Sequence, residues 1–127
     1  MIIKRTVDIE DEVRKALKNF FTIYCRPLPE NFILPSLLVT VSGGVDDDSI
    51  DAQDVVLDAR AYEDAEAINL LLDAVATLKA VANTQGTHIR YVEVNTIASW
   101  GQDPVRQNVS LCSARLRIYT HKIEKNI

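Results

Sequence analysis

The apolar residues Ile68, Leu71, Leu72, Val75, Leu78 and Ala82 recur at helical spacing, with Val81 at their flank. An α-helix brings such a set to one side, and an apolar stripe of this kind has to be covered by another layer. Glu63, Asp64 and Glu66 open the segment and Lys79 lies near its end, the charge order that the helix dipole favours. The helix is expected to stop at Asn83-Thr84-Gln85-Gly86, with Gly86 a natural break. The segments on either side have a different period.

Before this helix, Leu37, Val39 and Val41 alternate with Leu38, Thr40 and Ser42. That predicts a strand starting near Ser36, because Pro35 suits only an edge or a first position. Gly43-Gly44 is read as the turn that closes it. Val55, Leu57 and Ala59 then alternate with Val56, Asp58 and Arg60 in a second strand. After the helix, a strand is predicted from about Ile89 to Ile97, with Val92 and Val94 on one face and Tyr91, Glu93 and Asn95 on the other. A last strand runs from about Val109 to His121. Its residues Cys112, Ala114, Leu116 and Ile118 face the core, and Arg115, Arg117, Tyr119 and His121 face outward. Glu93 is expected to meet Arg115 or Arg117 across the ladder, a contact worth up to about 1 kcal/mol.

At the other end of the chain Asp8 is a suitable N-cap, followed by Glu10, Asp11 and Glu12 in a first turn. Ile9, Val13, Ala16, Leu17, Phe20 and Tyr24 predict an amphipathic helix from about Ile9 to Ile23, with Pro27 and Pro29 ending it. The order is α-ββ-α-ββ. It implies an α+β fold, a mostly antiparallel four-stranded sheet with two helices packed on one face. The 127 residues suit a single domain with a core from about 7 to 121, leaving 122–127 as a loose tail.

Composition removes several classes of function. The net charge of -4 lacks the basic excess of a dedicated nucleic-acid binder. Cys25 and Cys112, with no CxxC, give neither a disulfide framework nor a zinc site. The opening Met1-Ile2-Ile3-Lys4-Arg5 turns polar at once, and no stretch approaches the roughly 20 apolar residues of a membrane span, so a soluble protein made in the cytoplasm is expected. His88 and His121 have no HxH or HExxH context. No GxSxG, P-loop or dinucleotide-binding glycine pattern occurs. No catalytic residue, cofactor or metal site is expected. The acidic stretch Asp46, Asp47, Asp48, Asp51 and Asp54 fails the EF-hand pattern, since Asp51 stands where that loop needs Gly and Leu57 where it needs Glu. It reads either as a solvated connection or as an electronegative rim that repels anions.

Ser99-Trp100-Gly101-Gln102-Asp103-Pro104-Val105-Arg106 is predicted to connect the last two strands. It carries the chain's only Trp. A polar, bent connection is a costly place for an indole unless something covers it. Either Trp100 folds back over the end of its own sheet, or it anchors in a neighbouring subunit or partner. Trp and Arg are over-represented among interface hot spots, and Arg106, Arg115 and Arg117 favour the second alternative. The candidate interface is Trp100, Asp103, Arg106, Arg115 and Arg117.

Three stretches together carry a resemblance: Val7-Asp8-Ile9-Glu10-Asp11 with Arg14-Lys15-Ala16-Leu17, Val55 to Ala61 passing into Glu66-Ala67, and Tyr91 to Asn95 with Ser99 to Arg106 and Cys112 to Leu116. In combination they resemble the tail terminator (tail completion, head–tail joining) proteins of long-tailed bacteriophages of Gram-positive hosts, over about Val7 to His121. The resemblance implies a non-enzymatic virion part, made in the host cytoplasm and found in the tail or neck. It implies a homohexameric ring seated on the last ring of tail-tube protein, ending tube growth and docking to a head-completion or connector protein. DNA would pass through the hole without specific binding, and the acidic stretch would line that lumen. Two other readings share the fold: another neck component, and a small ligand-binding or enzymatic α+β domain.

Overall fold

The computed structural model describes residues 1–47 and 50–127. Its elements, in chain order, are β1 (Ile2–Arg5), α1 (Ile9–Leu17), β2 (Ile23–Cys25), β3 (Ser36–Asp46), β4 (Asp51–Ala61), α2 (Asp64–Val81), β5 (Ile89–Gln102), β6 (Ser110–Thr120) and β7 (Ile123–Asn126). The α+β class and the two helices are as expected. The sheet is not four-stranded: five strands run in the order β2-β3-β4-β6-β5, and β1 and β7 form a separate two-stranded sheet.

The fifth strand comes from the end of the expected first helix. Asp8 caps α1 by accepting from the Asp11 amide, but the helix ends at Leu17, whose carbonyl takes the amides of Phe20 and Phe21. Beyond it Thr22, Ile23 and Tyr24 prefer extended backbone. β2 pairs in parallel with β3, Ile23 opposite Leu37. The other strand pairs of this sheet are antiparallel. The expected loose tail is also corrected: Ile123 to Asn126 pairs antiparallel with Ile2 to Arg5, and Ile123 packs against the core.

Gly43-Gly44 does not turn the chain. A register shift between Val41 and Gly43 lets β3 and β4 stay paired to Asp46 and Asp51. At Gly44 a Cβ would stand 2.6 Å from the Ala52 carbonyl oxygen, so a side chain would force the two strands apart there.

Both helices cover one face of the large sheet. α2 lies across β4, β5 and β6, while α1 lies against β2, β3 and α2. Cys112, Ala114, Leu116 and Ile118 all face this core and are fully buried, as alternation required. The stripe of α2 is rotated from the expected one. Leu71, Val75 and Leu78 are buried with Ala67 and Ala74, whereas Leu72 is 43% exposed. Alanines at the contact let the helix approach the sheet closely.

Two acids of α1 turn inward instead of toward water. Glu10 accepts from the Val41 amide at 3.0 Å and pairs with Arg26 at 2.9 Å. Glu12 accepts from the His88 amide at 2.8 Å and faces its ring nitrogen Nδ1 at 3.1 Å. The first helix is thereby tied to β3 at its bulge and to the chain entering β5.

Replacing Leu71 by Ala should cost about 3 kcal/mol, through lost burial and the cavity left behind. Leu72→Ala should stay within about 1 kcal/mol, because its side chain is already partly in water. Urea unfolding of the two variants checks this; equal losses would mean that the rotated stripe is wrong.

Candidate interface around Trp100

β5 is an edge strand that continues well past the expected Ile97. Its pairing with β6 shifts register three times, and Ala98 takes a left-handed φ of 64°. These irregularities bend the strand and re-aim its side chains. After the last shift Ser99, Trp100, Gly101 and Gln102 pair with Ser113, Cys112, Leu111 and Ser110. The predicted connection is therefore half strand. Trp100 stands opposite the inward-facing Cys112, on the helix-bearing side of the sheet, and is 50% exposed.

The remaining connection, 103–109, is held by a buried ion pair. The Asp103 side chain is 2% exposed, and its Oδ2 accepts from Arg60 Nε at 2.8 Å. Oδ1 accepts from the amides of Val105 and Arg106 at 2.8 and 2.9 Å. Burial alone would raise the Asp103 pKa. The Arg106 and Val105 amides and the Arg60 guanidinium outweigh it and hold the carboxyl below the usual range. Arg106 lies over the Phe32 ring, 3.9 Å from its centroid, and donates to the Glu30 carbonyl at 3.1 Å. Arg60 approaches the same ring at 5.9 Å. Phe32 thus joins two guanidiniums, and the loop before β3 clamps the loop after β5.

The five residues of the predicted interface do not form one patch. Trp100 is exposed on the helix side. Asp103 is internal, and Arg106 is engaged by its own chain. Arg115 is exposed on the opposite face, between Val56 and Thr96. Arg117 makes two bonds to Asp54, at 2.8 and 3.0 Å. Each partner shifts the other, so Asp54 is lowered and Arg117 raised. Glu93 is opposite Arg117 in register as expected, but it accepts from the Tyr119 hydroxyl at 3.2 Å, and Arg117 goes to Asp54.

Three carboxylates of the acidic stretch, Asp46, Asp51 and Asp54, face two cations. Lys122 pairs with Asp46 and stands 3.6 Å from Asp51, which is buried and also accepts from Thr6. Asp47 accepts from the Ile50 amide, and Asp48 lies outside the described residues. Among the described residues no group of three His, Cys, Asp or Glu is placed to hold a metal ion. Burial pushes both thiols, Cys25 and Cys112, up. Among the described residues no helix is long and apolar enough to cross a membrane. Sequence reasoning missed Arg60, Phe32 and Lys122. The available signal was Arg60 itself, a charge in an otherwise apolar strand end, Ala59-Arg60-Ala61.

No protein-family model matches the chain, and no curated protein is significantly similar to it.

Asp103→Ala should destabilise the protein by about 3–5 kcal/mol, since it strands the buried Arg60 charge. The Asp103 pKa is depressed below its ordinary 3.8. In the acid range the unfolded chain therefore takes up a proton that the folded chain does not. Its contribution is complete well above pH 3.8 and is lost as pH falls through the folded value. Asp103→Asn should be less stable at neutral pH and lose less stability between pH 5 and pH 3. Parallel acid-dependence curves for the two proteins would contradict this assignment.

Proposed function

We propose that this chain is a ring-forming tail terminator of a long-tailed bacteriophage. It assembles as a homohexamer on the last ring of tail-tube protein, in the host cytoplasm, and remains in the virion neck. It stops tube growth and offers its far side to a head-completion or connector protein, while DNA passes through the hole. The activity is mechanical and needs no catalytic residue.

The observation that carries the reading is Trp100 on a rigid mount. The residue is 50% exposed beside a connection pinned by Asp103, Arg60, Arg106 and Phe32. An apolar anchor that is already ordered loses little entropy on docking, so more of its burial appears as affinity. Trp is also the residue type most enriched among interface hot spots. The resemblance of Ser99 to Arg106 and the flanking strands to the terminator family supports the same reading. The acidic stretch keeps a net negative charge, with Lys122 and Arg117 set against Asp46, Asp51 and Asp54, and its place at the lumen stays part of the proposal.

Purified tail-tube protein polymerised with this chain should give tubes of limited length with a cap at one end, seen by electron microscopy. Trp100→Ala should abolish capping while costing the free chain less than about 1.5 kcal/mol, half of what truncating a fully buried Trp costs. Tubes that grow equally long with and without the wild-type chain would remove the reading.

A further inference from the structure

A second unexplained apolar surface lies on the helices. Phe20 and Phe21, just past the end of α1, flank an open groove against Ala76, Ala80 and Val81 of α2, with a volume of about 540 Å³. Phe20 is 66% exposed there. The groove's lining is mostly apolar, but it includes Asp73, which has no ion-pair or hydrogen-bonding partner for its side chain among the described residues. The early end of α1 at Leu17 takes Phe20 off the helix stripe and leaves it facing water.

We infer that this groove receives Trp100 of a second copy of the chain. The two features lie at opposite ends of α2. Gln102 pairs with Ser110, and Ser110 donates to Asp64 at the start of the helix, so Trp100 sits near that start. The groove begins at Asp73 and extends to Val81. At 1.5 Å per residue these lie about 14 and 26 Å further along the helix axis. Trp100 is held in paired strand and cannot cross that distance within its own chain. A second copy brings the two together, and each copy keeps one of each free. Such a contact is heterologous, head-to-tail, and propagates until a ring closes. The chemistry also matches. An indole has one donor that needs an acceptor when buried, and the apolar groove supplies a single carboxylate at Asp73. Both surfaces expose large aromatics to water, and docking removes both from it. The inference deepens the ring reading by naming the contact between neighbours, and needs only a second copy of this chain.

Cysteine cross-linking tests it on the full chain in a Cys25→Ser, Cys112→Ala background, in which the serine keeps a donor to the Glu10 carbonyl and no native thiol remains opposite position 100. Trp100→Cys and Ala80→Cys proteins, purified separately and mixed under mild oxidation, should give a covalent heterodimer on non-reducing gels. Neither variant alone, nor Trp100→Cys mixed with Thr96→Cys, should do so. In sedimentation, Trp100→Ala and Phe20→Glu should each weaken self-association by about 30-fold or more, the scale of a hot spot. Oligomers that form without the heterodimer would overturn this contact and leave the ring reading standing. Coupling of Ala80→Cys to added tail-tube protein, and not to Trp100→Cys, would assign the groove to the tube and overturn the proposal. A heterodimer with no capping of tubes would keep the contact and remove the terminator function.

Discussion

The pairing of β4 with β6 is the interaction on which the rest of the structure depends. Residues 52–61 run antiparallel to 110–119, joining segments separated in sequence by α2 and β5. Without this seam the chain would be two hairpins, each with one apolar face and nothing to bury it against. With it, Val55, Leu57 and Ala59 lie beside Leu116, Ala114 and Cys112 in one continuous floor. Leu57 sits opposite Ala114, and α2 lies across these two strands. α1, with nine residues, is too short to be stable alone in water, and α2 gains its place by packing an apolar stripe on this floor.

The same seam carries the polar ties on its other side. Arg117 of β6 grips Asp54 of β4, and Ser113 donates to Asp58. Arg60, at the end of β4, extends the pattern off the sheet to Asp103. The rigidity of the central strands is thereby passed to the connection beside Trp100. Glu10 and Glu12 do the corresponding work for α1, each accepting from a backbone amide outside the helix. Partly buried carboxylates of this kind add little net stability, but their geometry admits few alternatives. They set where a short helix sits.

Periodicity made the central layers legible. The four long strands and both helices were visible because each repeats its pattern over several residues, and the inward set of β6 was assigned residue by residue. The parts that were not legible are short or depend on distant partners. β2 is three residues long and continues the apparent spacing of α1 by coincidence, so Phe20 and Tyr24 looked like further turns of helix. β1 and β7 stabilise each other across the whole chain, and neither has a signal alone. Trp100 seemed to lie in a loop because Gly101, Asp103 and Pro104 are turn residues. The register shift beside Ala98 lets the strand continue through Gly101 and end at Gln102. Of the candidate site, the outward face of Arg115 was legible from alternation, whereas sequence left two alternatives open for Trp100. The roles of Asp103 and Arg117 were hidden, because an ion pair between distant strands leaves no local trace in sequence.

The distribution of burial around the last two strands runs against what the stability of a single chain favours. A charged pair, Arg60 with Asp103, is taken out of water at a desolvation cost, while the indole two positions before Gln102 is left half exposed. A chain optimised to stand alone gains more by covering Trp100 and leaving the charges in solvent. The arrangement makes sense if the ion pair's task is to fix the connection and the indole's burial is completed by another molecule. Conflicts between local preference and the folded chain are expected to concentrate at functional sites. Here the conflict falls at an edge strand, and at the end of α2 away from the groove beside Phe20. A surface that is ordered, apolar and incomplete at one end, with a matching vacancy at the other, is the minimum that identical subunits need to assemble in one direction.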